Sequence, residues 1–97
     1  MKKSQFVLIV DNDRAWAQNI ADLFVAYGYE AEVIVNGKAA VEHARRRDFD
    51  IAFMDLQMPA MSGVDSEIRK LKPAARIVKM EKPLAFERML EIVETAA

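Results

Sequence analysis

Two apolar runs in this chain end on an aspartate. Phe6-Val7-Leu8-Ile9-Val10 runs into Asp11-Asn12-Asp13, and the run that opens at Asp50 and continues through Met54 ends at Asp55. If both runs are buried strands, both acids sit at strand carboxyl ends. Open α/β sheets bind ligands there, at the point where the strand order reverses. If the first and third strands are neighbours, Asp11 and Asp55 converge. Two carboxylates this close repel, and a hard cation with oxygen ligands such as Mg²⁺ relieves the repulsion. A carboxylate held in that way can also act as a nucleophile toward a phosphoryl group. The plainer alternative makes Asp11-Asn12-Asp13 only a turn and helix cap, and Asp55 only a strand end. Matching positions on two strands weigh against that alternative.

The elements that must position these acids follow from the hydrophobic pattern. Phe6 to Val10 is continuous and β-branched, as expected of a strand buried on both faces. Asp13 or Asn12 can cap the next helix, whose expected apolar face is Trp16, Ile20, Leu23, Phe24 and Tyr27, with Gly28 as the stop. Glu30 to Val35 reads as a second strand. Asn36-Gly37 punctuates, and Ala40, Val41 and Ala44 mark a second helix. Asp50 to Met54 is the third strand. Val64, Ile68 and Leu71 mark a third helix closed before Pro73, and Arg76 to Met80 is a fourth strand. Pro83 suits the first turn of a last helix with the face Phe86, Met89, Leu90 and Val93. Strand and helix alternate four times, which implies a parallel, doubly wound α/β sheet with right-handed crossovers.

Composition narrows the choices. Ninety-seven residues make one domain, without room for a separate substrate domain or lid. A hydrophobic content of 53% with 30% charged residues is that of a folded globular chain. Fourteen basic against fifteen acidic residues leave a net charge of -1, with no bulk pull toward nucleic acid or anionic lipid. The absence of cysteine excludes disulfides, thiolate zinc sites and cysteine nucleophiles. Lys2-Lys3 before five apolar residues falls short of a signal peptide, and no run approaches the roughly 18 apolar residues of a membrane span. The expectation is a cytoplasmic protein without membrane or nucleic-acid partners. Lys2-Lys3 is read as solubilising and Arg45-Arg46-Arg47 as an offset to the second helix's dipole. His43 is read as a solvated helix residue, and Trp16 and the methionines as core.

Val7 to Asp13, the block Phe49-Asp50-Ile51-Ala52-Phe53-Met54-Asp55-Leu56-Gln57-Met58-Pro59-Ala60-Met61-Ser62-Gly63, and Lys82-Pro83 together resemble the receiver domain of two-component response regulators. The resemblance covers essentially the whole chain, and the Asp55–Gly63 block is its most specific part. It implies a flavodoxin-like strand order 2-1-3-4-5 and a single receiver domain over residues 1–97 with no output domain. It implies that Asp55 is the phosphoacceptor, served by a sensor histidine kinase, a phosphotransfer protein or a small phosphodonor. Asp11, Asn12, Asp55 and the backbone carbonyl of Gln57 match the Mg²⁺ ligands. The Gln57 side chain matches a position that tunes phosphate lifetime, Met58-Pro59 and Gly63 match the pocket loop, and Lys82 matches the lysine that pairs with phosphoryl oxygens. The chain is then a signalling domain with self-catalysed phosphotransfer, not an enzyme, and its output passes to a downstream effector protein.

Three departures bear on this expectation. Asn12 stands where the family carries a second acid, so one charge is lost while an amide oxygen remains. Glu81 follows the fourth strand where the family expects a threonine or serine; an ionised carboxylate cannot donate to a phosphoryl oxygen. Lys82 comes two residues after Met80, so the family's fourth helix and fifth strand are missing and the order shortens to 2-1-3-4. These departures support the alternative of a degenerate receiver acting as a phosphorylation-independent interaction module. The shortened sheet also leaves the fourth strand as an edge, which points to a homodimer through that flank or to low stability alone. A third reading, from the likeness of Phe6–Asp13 to the opening of haloacid-dehalogenase-type phosphohydrolases, makes Asp11 the nucleophile and Asp13 the acid/base. It leaves the Asp55–Gly63 block unexplained.

Overall fold

The computed structural model describes residues 5–55, 57–81 and 84–95. Strand β1 (Phe6–Val10) leads to helix α1 (Arg14–Ala26), β2 (Glu30–Ile34) to α2 (Gly37–Arg46), β3 (Ile51–Asp55) to α3 (Val64–Leu71), and β4 (Arg76–Met80) to α4 (Phe86–Thr95). The strands form one parallel sheet in the order β2-β1-β3-β4. Alternation of strand and helix thus gives the expected doubly wound sheet. Among the described residues no strand pairs with the outer side of β4. Lys2, Lys3, Lys82 and Pro83 lie outside the described residues.

The sheet sorts its side chains by the period of two. Val7, Ile9, Ile51 and Phe53 point to one layer, where Ala17, Ile20, Ala21 and Phe24 of α1 meet Met89 and Val93 of α4. Leu8, Val10, Ala52 and Met54 point to the other, against Ala40, Val41 and Ala44 of α2 and Val64 and Ile68 of α3. Every residue of β1 and β3 is buried, because both strands are central and covered on both faces. The edge strands β2 and β4 are only partly buried.

The sequence pattern misplaced several residues. Leu23 is 41% and Tyr27 60% exposed, while the small Ala17 and Ala21 take the inner face of α1 and let the helix lie close to the sheet. Trp16 is half-buried rather than core, and Leu71 is exposed. The described methionines, Met54, Met58, Met61, Met80 and Met89, are all buried. Strand β2 ends at Ile34, one residue early. Strand β3 begins at Ile51, which leaves Asp50 outside it.

Asp50 instead staples the amino ends of three strands. Its Oδ2 accepts from the Phe6 N–H at 2.7 Å, its own N–H donates to the Phe6 carbonyl at 3.0 Å, and its carbonyl accepts from the Arg76 N–H at 2.9 Å. His43 is also more engaged than a solvated residue. Its Nε2 lies 2.8 Å from Glu32 Oε2, and its ring packs edge-on against Phe6 at 5.7 Å. Arg45 pairs with Glu42 at 2.6 Å, and Arg47 covers the Phe6 ring at 4.5 Å. His43, Arg45 and Arg46 occupy the last turn of α2, as the dipole argument requires.

Gly37 fixes how closely α2 approaches the loop before α3. A Cβ built there would lie 2.8 Å from Val64 Cγ2, 3.0 Å from Met61 Sδ and 3.3 Å from the Ala60 carbonyl oxygen. Alanine is the better helix former by up to about 1 kcal/mol. Overpacking against a stiff β-branched side chain costs about 1–3 kcal/mol. Gly37→Ala should therefore lower the melting temperature by several degrees; a rise would show that the loop yields freely.

Candidate functional site

The site grows from the ends of the two central strands. Val7 to Val10 of β1 pair with Ile51 to Met54 of β3, so the next residues, Asp11 and Asp55, stand side by side. Neighbouring strands lie about 4.7–4.9 Å apart. Asp11 is fully buried and Asp55 is 8% exposed, and these are the only buried charged residues among those described.

The same local device orients both carboxylates. Asp11 Oδ1 accepts from the Asp13 N–H at 2.8 Å, and Asp55 Oδ1 accepts from the Gln57 N–H at 2.9 Å. Each is a turn in which an aspartate bonds the backbone two residues on. The Asp11 N–H donates to the Ile34 carbonyl at 2.9 Å, extending the ladder between β1 and β2 into the site. Asp13 is the N-cap of α1: its Oδ1 accepts from the Trp16 N–H at 3.1 Å. Of the two candidate caps, Asp13 fills the role, and Asn12 is exposed beside the buried pair. Gln57 is exposed beside Asp55.

The donor chemistry fits Mg²⁺. Among the described residues no cluster of three or more histidine, cysteine or acidic side chains gathers anywhere, so the acids at this site are the pair Asp11 and Asp55. Mg²⁺ binds through one or two carboxylates and retains several waters. Two carboxylates with the neutral oxygens of Asn12 and Gln57 at hand meet that need. Lys82 lies outside the described residues. Glu81 follows β4 and is exposed.

The loop after Asp55 is shaped by unusual backbone. Ala60 has φ 60° and Gly63 φ 78°. Gly63 takes the left-handed conformation at no steric cost and forms the N-cap of α3. Ala60 has no such freedom, and the conformation costs it about 1–2 kcal/mol. Met58 and Met61 are buried on either side of Ala60 and anchor this loop.

Sequence reasoning missed Asp65, at the start of α3. It bonds Arg69 Nη1 at 3.2 Å and lies 3.7 Å from Lys79 Nζ of β4. Burial pushes its pKa up, but the Ser66 N–H, Lys79 and Arg69 outweigh burial and hold it below the ordinary value. The four-residue spacing to Arg69 was a visible signal; the contact with Lys79 was not.

A family model described as the response regulator receiver domain matches residues 7–92. The chemotaxis protein CheY of Thermotoga maritima is 40% identical over 75 residues, which cover 74% of this chain and 62% of that protein. The sensory transduction protein RegX3 of Mycobacterium tuberculosis is 41% identical over 89 residues, 84% of this chain and 39% of that protein. A response regulator receiver protein of Anaeromyxobacter is 37% identical over 70% of this chain, and the match spans 29% of its own length. The chain thus spans less than two thirds of these curated relatives. Among solved structures, the chemotaxis response regulator CheY4 of Vibrio cholerae superposes with a TM-score of 0.85 at 21% identity, covering 98% of this chain and 100% of that one. A chain from the complex of histidine kinase ThkA with response regulator TrrA superposes at 0.81 with 23% identity, covering 95% of this chain and 97% of that one.

Proposed function

Since the chain belongs to the family of response regulator receiver domains, we infer that it takes a phosphoryl group on Asp55 and passes the signal to a downstream effector protein. The observation that carries this reading is the buried carboxylate pair, Asp11 and Asp55, at the carboxyl ends of adjacent strands. The donor is a sensor histidine kinase, a phosphotransfer protein or a small acyl phosphate. The setting is cytoplasmic, with neither membrane nor nucleic acid as partner. No described helix is long and apolar enough to cross a membrane, and a net charge of -1 supplies no attraction to polyanions.

The residues divide the work. The Gln57 N–H holds Asp55 Oδ1, which orients Oδ2 as the attacking oxygen. A lone pair of Oδ2 forms the new O–P bond while the bond from phosphorus to the donor nitrogen or oxygen breaks. The leaving imidazole or carboxylate keeps that electron pair. Asp11, Asp55, the Asn12 amide oxygen and the Gln57 carbonyl would hold Mg²⁺, which when bound offsets the charge shared by carboxylates and phosphoryl oxygens. Lys82 would pair with a phosphoryl oxygen. Incubation with acetyl phosphate and Mg²⁺, followed by intact mass and peptide mapping, tests the reading. One added phosphoryl unit on Asp55 is expected. None with Mg²⁺ saturating, or a group on His43, overturns it.

Glu81 favours a second reading. With no hydroxyl to donate after β4, a phosphoryl group on Asp55 would lack one of its conformational readouts, and the chain would bind partners independently of phosphorylation. Equal partner affinity before and after acetyl phosphate treatment would establish this.

Asn12→Asp restores a carboxylate and should tighten Mg²⁺. A unit charge about 4 Å from a divalent ion contributes up to roughly 8 kcal/mol at an effective dielectric near 20, before desolvation; the net gain is much smaller. An unchanged Mg²⁺ titration would remove Asn12 from the ligand set.

The reading extends to self-association through β4. Ile77 packs toward α2 and α3 and Val78 toward α1 and α4, and both are only half-buried. An uncovered edge of this kind offers backbone groups and apolar side chains to a second copy. Ile77→Lys should shift light scattering from dimer to monomer. A wild-type chain already monomeric at high concentration would count against the edge.

A further inference from the structure

The two layers of helices differ in charge. Helices α2 and α3 carry five basic and three acidic residues; α1 and α4 carry two basic and four acidic. The contrast sharpens at the helix ends. The last turn of α2 holds His43, Arg45 and Arg46, and that of α3 holds Arg69 and Lys70. The last turns of α1 and α4 hold no basic residue. Neither helix of this layer therefore carries a cation in its own last turn to set against the acidic side chains.

That layer also carries exposed apolar surface. Leu23 of α1 is 41% exposed, and Tyr27, its C-cap, 60%. They are four residues apart, as are the half-buried Phe86 and Leu90 of α4. The Tyr27 and Phe86 rings lie 5.4 Å apart and join the two pairs into one stripe along the seam of the helices. Asp22, Glu87, Glu91 and Glu94 are exposed around it, and Arg88, the basic residue of α4, is bonded to Glu91 at 2.9 Å.

We propose that this seam docks a basic amphipathic helix of a partner protein. An apolar stripe of two i,i+4 pairs matches the apolar face of a helix laid along it. The acidic rim selects lysine or arginine on the partner's flanks. The same charges oppose a second copy of this chain, whose rim is equally acidic, and an anionic membrane. The surface is distinct from the phosphoryl site. Helix α1 starts beside Asp11, and Leu23 and Tyr27 lie ten and fourteen residues beyond its Asp13 cap, about 15–20 Å along the helix.

Fluorescence anisotropy with three synthetic helices tests the assignment. All share one leucine stripe and carry lysine, glutamine or glutamate on the polar face. The lysine peptide should bind about tenfold or more tightly than the glutamate peptide, with an advantage that shrinks in high salt. Leu23→Glu, and separately the exposed double variant Asp22→Lys/Glu87→Lys, should remove this binding while uptake from acetyl phosphate stays unchanged. Equal affinity for all three peptides, binding that survives both variants, tighter binding to phosphatidylserine vesicles, or self-association abolished by Leu23→Glu would each overturn the proposal.

Discussion

Asp55→Asn is expected to abolish phosphoryl uptake at any concentration of acetyl phosphate, and to do so without unfolding the protein. Asparagine keeps the shape of the side chain, and its carbonyl oxygen can still accept the Gln57 N–H that Asp55 Oδ1 accepts at 2.9 Å. What disappears is the charged oxygen that attacks phosphorus. The variant also removes one of two adjacent, largely buried negative charges. At a separation of about 5 Å and an effective dielectric near 20, their repulsion reaches roughly 3 kcal/mol. Asp55→Asn should therefore melt no lower than the wild type without Mg²⁺, and it should lose most of the stabilisation that Mg²⁺ confers on the wild type. Asp11→Asn separates the two roles. It leaves the nucleophile in place, so phosphorylation should persist but require more Mg²⁺. Intact mass across an Mg²⁺ titration reads both variants. Equal labelling of Asp55→Asn and wild type would place the phosphoacceptor elsewhere.

How far this site was legible in the chain depends on the range of the forces that build it. Asp11 and Asp55 could be paired in advance because a run apolar at every position, in a strand-helix alternation, implies a central strand, and central strands end at the switch point. The Asp13 cap was visible for a related reason, since an N-cap bonds only three residues ahead. Contacts made across the fold left no trace in local spacing. Asp50 reads as the first residue of a strand, yet its carboxylate substitutes for a strand partner of Phe6, forty-four positions away. His43 reads as a solvated helix residue because Glu32, Phe6 and Phe49 reach it only after β1, β2 and α2 have packed. The apolar face of α1 failed for a subtler reason. Leu23 and Tyr27 offer far more apolar surface than Ala17 and Ala21, but close approach to a sheet favours small side chains. The large residues outside are the ones that now form the seam with α4.

Phe24 is the side chain on which that layer depends, and Phe24→Ala should bring the domain near to unfolding. The ring is fully buried. It stacks on Phe53 of β3 at 6.1 Å, meets Tyr29 edge-on at 5.8 Å and Phe86 of α4 at 5.0 Å, so one residue ties α1, the sheet and α4 together. Truncation removes the transfer free energy of the ring and leaves a cavity between rigid neighbours, a loss of about 3–5 kcal/mol. Domains of this size have about 5–15 kcal/mol in total. The midpoint in urea should fall by at least about a fifth, with little change in the slope. Leu23→Ala, one residue earlier on the same helix, is the matched control. Its side chain is already 41% exposed, and alanine is the better helix former, so the unfolding free energy should stay within about 0.5 kcal/mol of wild type. If the two variants melted alike, α1 would have to be rotated about its axis from the orientation seen here, and the apolar seam beside α4 would be part of the core.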